Sequence, residues 1–310
     1  MSEPAGMAVI ALFGPTGVGK TAVALELADV LRSRGEDPIA VSADALQVYA
    51  GLETLTGAAS PSERARLEHR LLGTVHVSER HSVGRYMPCA HAAIDAALAA
   101  GRRPIVVGGT GLYLRAALTE LDLRPPAAPG VRERIERELA ARGPRALHAE
   151  LRARAPAAAA RVEPTDRSRI VRALELAEAG ELAERSQPSQ LWTSETRRPT
   201  LLVGLMLEGG ALDERIDARV ERMVAAGAAD EVRRASEAGA SATARKALGF
   251  AELEAGDVEA MKRRTRRYAR RQLTWMRKLA GVHVLDTTGL GAGEVAARVA
   301  ALARRGPTTR

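Results

Sequence analysis

The octapeptide Gly14-Pro15-Thr16-Gly17-Val18-Gly19-Lys20-Thr21 constrains this chain more than any other stretch. It fits G-x-x-x-x-G-K-[ST], a loop whose glycines let backbone N–H groups turn inward around an anion. In such a loop the lysine neutralises a terminal phosphate and the Thr hydroxyl ligates Mg2+. Met7 to Phe13 (MAVIALF) is a short apolar run that reads as a strand, and TAVALELADVLRS after the loop has apolar residues at helical spacing. Strand, loop and helix in that order make a phosphate-binding βα unit of the P-loop NTPase kind, with the helix N-terminus adding positive potential. Gly14, Pro15, Thr16, Gly17, Val18, Gly19, Lys20 and Thr21 are therefore the candidate polyphosphate-binding residues, and Thr21 the candidate metal ligand. The motif leaves the reaction open. A kinase would use it to stabilise a travelling phosphoryl group, another transferase to hold a diphosphate that leaves.

PIAVSAD (Pro38 to Asp44) reads as a second buried strand, and RPIVVGGTGLYL (Arg103 to Leu114) as a strand running into a second glycine turn and a helix. Between them YMPCAHAAIDAALAAG reads as a helix closing at Gly101. Strands alternating with helices imply a parallel, doubly wound α/β sheet. From Arg124 to about Arg198 the chain is proline-punctuated, charged and helical in pattern, with no strand. PTLLVGLML (Pro199 to Leu207) and GVHVLDTTG from Gly281 then return to the sheet. The expected organisation is an α/β core of residues 1–120 and 199–310 around an all-helical insert, 121–198, with residues beyond Arg304 frayed.

Composition narrows the classes. A chain of 310 residues with 46% hydrophobic and 27% charged residues is a globular protein, and no apolar run reaches the ~18 residues that span a bilayer. The N-terminus lacks the pattern of a secretory signal, so a cytoplasmic location is expected. A single cysteine, Cys89, excludes an intrachain disulfide and a cysteine-rich zinc site, and none of the six histidines falls at H-x-x-x-H spacing. The formal charge of +8 points to a polyanionic partner, although arginine also solvates helix faces.

Several further stretches carry chemistry. Asp44, in SADALQVYAGL, falls at the expected carboxyl end of the second strand, where ligands gather in open α/β sheets. It can orient or deprotonate an attacking amine, or serve as a cap or a ligand of metal-bound water. Gln47 can read a base edge or pack on a turn. GGTGLY (Gly108 to Tyr113) offers a second close backbone approach, with Thr110 as a donor, or only a tight turn. DRSRIVRALE places Arg169 and Arg172 on one helical face, and LDERIDARVERM places Arg215, Arg219 and Arg222 at helical spacing, one of which would complete a phosphate clamp.

The densest charge is MKRRTRRYARRQLTWMRK, Met261 to Lys278, with nine basic residues and no acidic one. At helical spacing Met261, Thr265, Tyr268, Gln272, Trp275 and Leu279 share a face, with arginines on the rest. Such a run attracts nucleic-acid backbones by counterion release, and Tyr268 or Trp275 either stacks on a base or packs on the core, with packing favoured.

Taken together these residues resemble the bacterial tRNA dimethylallyltransferases (tRNA isopentenyltransferases). The resemblance is carried in order by GPTGVGKT, SADALQVY, VVGGTGLYL, DRSRIVRALE, RIDARVERM, ALGFAEL and RRYARRQLTWMRK. It implies that the loop holds the diphosphate of dimethylallyl diphosphate in place of that of ATP, with Mg2+ as cofactor. The prenyl group would pass to N6 of adenosine 37, 3′-adjacent to the anticodon, in tRNAs reading codons that begin with U, and pyrophosphate would leave. By position, the resemblance makes Asp44, Lys20, Thr21 and Arg215 catalytic. It assigns tRNA contacts to Asp44, Ala45, Leu46, Gln47, Thr110, Arg132, Ser168, Arg169, Ile170, Val171, Arg172, Arg245, Lys246, Gly249, Phe250, Arg271 and Gln272. The insert becomes a tRNA-binding domain, the anticodon stem-loop the partner, and a monomer the expected state. Two stretches depart from the family pattern: LTGAAS stands where Thr-Ala-Lys-Pro is usual, and EHRLLGTV where a paired-histidine stretch is usual.

Three rivals remain at this stage. Adenylate isopentenyltransferases share the core but act on free nucleotides, a use that leaves the insert and the basic helix unexplained. A small-molecule kinase leaves the arginine-rich insert unexplained, and a non-catalytic RNA-binding ATPase makes Asp44 dispensable.

Overall fold

The computed structural model describes residues 9–182 and 190–304, so Met7, Ala8 and the expected frayed end beyond Arg304 lie outside the described residues. β1 (Val9–Phe13) is buried along its whole length and ends in the glycine loop, which delivers the chain into α1 (Lys20–Arg32). Gly17 and Gly19 have φ of 87° and 98°, a region L side chains rarely adopt, so the loop's curvature requires glycine at both. β2 (Pro38–Ser42) follows, then α2 (Glu53–Thr56), α3 (Pro61–Arg66) and the edge strand β3 (His69–Arg70). After α4 (Val83–Ala99) and β4 (Arg103–Gly108), the second glycine turn opens α5 (Gly111–Leu118).

Residues Asp122–Ser189 form a compact unit of their own. It holds α6 (Val131–Arg142), α7 (Pro144–Arg154), α8 (Pro156–Ala159) and α9 (Arg167–Glu178). Its core is Ile135, Leu139, Leu147, Leu151, Ile170, Val171 and Leu174. The buried Glu175 carboxylate sits between two guanidinium groups, Arg132 and Arg172, each at 2.9 Å. The chain then continues through β5 (Thr200–Met206), α10 (Gly209–Ala225), α11 (Ala228–Glu237), α12 (Phe250–Glu254), α13 (Val258–Met276), β6 (His283–Asp286) and α14 (Ala292–Arg304).

The six strands form one sheet in the order β3-β2-β4-β1-β5-β6, and every pairing is parallel. β1, β2 and β5 are apolar without alternation because helices cover both faces of a parallel sheet. Strand β3 was not expected: it is two residues long, polar, and held only by its register against Ala40 and Val41. The insert is also shorter than 121–198. Gln190 to Arg198 belongs with the α/β unit, where the buried Arg115 guanidinium donates to the Gln190 and Glu195 carbonyls at 2.6 and 3.1 Å. Arg197 there pairs with Asp95 and Glu120. A buried guanidinium needs acceptors, and this segment supplies them.

Candidate functional site

The glycine loop, the segment after β2 and the turn after β4 all lie at the carboxyl ends of their strands, and with α10 and α13 they enclose a cavity of about 360 Å³. Lys20 Nζ donates to the Gly14 and Pro15 carbonyls, each at 2.9 Å, which curls the side chain back over the loop. Gln272 on α13 joins the two glycine turns: its Oε1 accepts from Thr16 N–H at 2.9 Å and its Nε2 donates to Gly109 O at 2.7 Å. A Cβ at Gly109 would overlap that amide, so glycine here is a matter of space.

Three cations approach the cavity. Lys20 and Arg219 line it together, with Arg222 at its exposed margin. Arg219 donates to Thr56 O at 3.2 Å, and among the described residues it has no carboxylate within ion-pair distance. The same holds for Lys20, whose ammonium is satisfied only by carbonyls. Burial, then the neighbouring Arg219 charge, brings the Lys20 pKa down to about 7, with Asp44 opposing. Burial likewise lowers the pKa of Arg219. Two under-compensated cations in one cavity form a site for an anion of more than one charge.

Asp44 lies in the same cavity, its Oδ1 accepting from Leu46 N–H at 2.9 Å, which leaves the second carboxylate oxygen for a ligand. Gln47 donates to Gly57 O at 3.3 Å, and Ser42 Oγ donates to Gln47 Oε1 at 3.2 Å. Tyr268 faces the cavity; its hydroxyl is pushed up to about 12 by burial and the Asp44 charge, so it stays protonated near neutrality. Thr110 Oγ1 accepts from Ala45 N–H at 3.4 Å. Leu46, Leu55, Val220, Met223, Leu248 and Met261 add apolar wall. The cavity is therefore half cationic cradle, half apolar slot.

The structure sorts the sequence expectations. Thr16, Gly17, Gly19, Lys20, Thr21, Asp44, Leu46, Gln47 and Gln272 come together around the cavity, while Gly14, Pro15 and Val18 build the loop behind it. Arg215 takes a revised place: it is exposed, donates to Val18 O at 3.4 Å and lies against Gly19 on the outside of the loop, whereas Arg219, one turn along α10, enters the cavity. Ile170 and Val171 are corrected as well, since both are buried in the helical unit's core. Phe250 and Gly249 are buried in the α/β unit, Gly249 against Met261, so neither is open to a partner. Gln272 is 5% exposed and both ends of its amide are committed within the chain, so it positions the loop. Ser168, Arg169, Lys246 and Arg271 are exposed; Arg245 pairs with Glu254 at 2.9 Å, and Arg132 and Arg172 are held by Glu175.

Missed by the sequence reading were Thr56, Gly57 and Glu63, which line the cavity from a stretch with no motif. Trp275 packs, as favoured, against Trp192 at 4.5 Å and over Gly111. The basic helix is the largest revision. On α13, Lys262, Arg266 and Arg270 pair with Glu221, Asp217 and Asp213 of α10 at 2.8, 2.6 and 2.9 Å. Arg264 pairs with Glu252 at 2.8 Å and Arg263 with Asp257 at 3.8 Å. Arg267, Arg271 and Arg277 keep no carboxylate partner among the described residues and are exposed.

A parallel sheet carrying an anion loop between β1 and α1, with its cavity at the carboxyl strand ends, defines a P-loop NTPase-like protein. The particular family follows from comparison with known proteins. The IPP transferase family model matches residues 47–279 and the isopentenyl transferase model residues 7–80. A tRNA dimethylallyltransferase of Kineococcus radiotolerans is 43% identical over 297 residues, covering 92% of each chain, and one from Thermobifida fusca is 43% identical over 89% of each. Among solved structures, a tRNA isopentenylpyrophosphate transferase from Bacillus halodurans superposes with a TM-score of 0.68 at 29% identity, covering 97% of this chain and 98% of the other. A eukaryotic dimethylallyltransferase acting on tRNA gives 0.70 at 25% identity, covering 96% and 78%. The chain belongs to the IPP transferase family.

Proposed function

We infer that this chain is a tRNA dimethylallyltransferase, moving the dimethylallyl group of dimethylallyl diphosphate to N6 of adenosine 37, beside the anticodon, in tRNAs reading codons that begin with U. The carrying observation is the cavity in which Lys20 and Arg219, neither held by a carboxylate among the described residues, lie with Asp44 beside an apolar wall. The diphosphate takes the cations and the loop N–H groups. The prenyl carbons take the apolar wall, and the acceptor amine meets Asp44.

In the reaction N6 attacks the allylic C1; the C1–N6 bond forms as the C1–O bond to diphosphate breaks, and the bond electrons leave with pyrophosphate. Asp44 accepts the N6 proton. Cation-like character at C1 rises as negative charge gathers on the leaving group, so donors fixed before the reaction stabilise the transition state more than the ground state. Tyr268, protonated, adds a neutral hydroxyl near Asp44. The target base has to leave the anticodon-loop stack, at a cost of a few kcal/mol. Exposed Arg267, Arg271, Arg169 and Ser168 offset that cost on the RNA backbone.

A magnesium ion fits the donor set. Thr21 lines the cavity, and no cluster of three His, Cys, Asp or Glu side chains that could hold an ion exists among the described residues. Mg2+ keeps several waters and would take its remaining oxygens from the diphosphate, so the Thr21 hydroxyl suffices from the protein. It would supply charge neutralisation to the leaving pyrophosphate. Among the described residues no helix is long and apolar enough to cross a membrane.

The test is incubation with dimethylallyl diphosphate, Mg2+ and unmodified tRNA, with AMP and ATP as competing acceptors, followed by nucleoside mass spectrometry. A prenyl mass on the adenosine 3′ to the anticodon is expected. Prenylated AMP alone would move the chain to the free-nucleotide branch, and no prenyl transfer would restore the kinase and ATPase readings.

A further inference from the structure

Helix α2 is one turn long, four residues, and its N-cap, Leu52, has no side chain able to accept a hydrogen bond. A turn this short does not hold itself together in water, because too few internal bonds offset the cost of fixing its backbone. It nevertheless supplies cavity wall through Leu55, Thr56 and Gly57. Its carbonyls also hold polar side chains of the site: Thr56 O accepts from Arg219 at 3.2 Å and Gly57 O from Gln47 at 3.3 Å. A Cβ at Gly57, which has φ 58°, would overlap the Arg219 guanidinium. The placement of the cavity's guanidinium thus depends on the placement of α2.

What fixes α2 is a residue far away in sequence. Glu231 on α11 is 8% exposed and has no cationic partner within ion-pair distance among the described residues. Its carboxylate is spent on two adjacent N–H groups of α2: Oε1 accepts from Thr54 N–H at 2.9 Å and Oε2 from Leu55 N–H at 2.8 Å. Those N–H groups are the unpaired donors that every helix start leaves over, and a carboxylate is their strongest acceptor. A burial of charge this costly is retained where both oxygens are satisfied.

We propose that Glu231 is a positioning residue for the diphosphate cradle, acting by capping α2 and thereby setting Arg219. The proposal rests on the reading of the cavity as the diphosphate site. Glu231 touches no substrate; its influence passes through α2 backbone to one guanidinium. Loss of the cap is expected to weaken diphosphate binding more than it slows the chemical step, because Lys20 and the loop N–H groups stay in place.

The test is Glu231→Gln in the full chain, with Mg2+-pyrophosphate as the calorimetric probe and Val299→Ala, a core truncation between α1 and α14, as a destabilised control. In Glu231→Gln the pyrophosphate Kd and the KM for dimethylallyl diphosphate are expected to rise about tenfold, with kcat within about threefold. Hydrogen exchange at Thr54 and Leu55 should quicken, and the affinity of Val299→Ala should stay at the wild-type value. Unchanged pyrophosphate affinity in a folded Glu231→Gln protein would overturn the proposal, as would an equal loss in Val299→Ala. Should the glutamine variant not fold, Glu231→Asp keeps the charge but is too short for both amides. A pyrophosphate affinity at the wild-type value in that variant would also overturn the proposal, and a loss would support it. If the wild-type chain binds pyrophosphate in a Glu231-dependent way yet prenylates no RNA, the functional reading fails and the positioning role stands.

Discussion

Two populations of basic residues, one along α13 and one contributed by α1 and α10, behave differently. On the outer face, Lys262, Arg266 and Arg270 form a ladder with Glu221, Asp217 and Asp213, three rungs at one-turn spacing. In the cavity, Lys20 and Arg219 have only carbonyl partners among the described residues. The ladder cations are compensated and add to the attachment of two helices, whereas the cavity cations retain an unmet demand for negative charge. A count of positive residues conflates the two; only the carboxylates brought by tertiary contact distinguish cations that bind a partner from cations that bind the protein itself.

Removing a member of the uncompensated set should have the largest effect. Asp44→Asn is expected to lower kcat by about 10²-fold or more while pyrophosphate affinity holds, since the carboxylate serves the amine and not the leaving group. Equal loss in both would dissolve the division of labour between Asp44 and the cations. Arg219→Ala is expected to lower kcat/KM by about 10²-fold, and Arg215→Ala by less than about tenfold, because only the former faces the cavity. The reverse order in steady-state assays would restore Arg215 to the site.

Protonation sharpens the comparison further. The Lys20 pKa lies near 7 in the ligand-free fold and near 10.5 when unfolded, so between these values the unfolded chain binds more protons. Lys20 therefore makes stability rise with pH across that window, and its cost is present in full below about pH 7. Thermal melts of wild type against Lys20→Met should show that rise only in wild type. A bound diphosphate returns the proton, so pyrophosphate binding at pH 8 should take up a proton, read by calorimetry in buffers of different ionisation enthalpy. The smallest effect belongs to the ladder. Asp213→Asn with Asp217→Asn should raise RNA affinity a few-fold and steepen its salt dependence by up to about one unit per released arginine, at a stability cost of about 1 kcal/mol per rung or less. No change in the salt slope would mean that the released side chains find other partners.

The fold was largely legible because its signals are local. The strands β1, β2, β4 and β5 are short apolar runs, β1 and β4 lead directly into glycine turns, and the insert announces itself by losing strands. The site was half legible. Lys20, Thr21, Asp44 and Gln47 lie in compact motifs, but Arg215 and Arg219 share one face of α10, and choosing between them needs the position of the helix along its axis, which the apolar positions Leu212, Ile216 and Val220 leave open by one turn. Ile170, Val171 and Phe250 sit inside motif-like stretches yet serve cores.

The sequence by itself determined the anion loop, the parallel α/β plan, the position of the helical insert and the family, because each depends on residues adjacent in the chain. The tertiary structure decided which arginines are spent and which face the cavity. It also decided that Gln272 joins two glycine turns and that Glu231 caps a helix 176 residues away. The physical reason is that charge compensation and capping are properties of distances in space, and no local pattern encodes the identity of a partner that folding alone brings within about 3 Å.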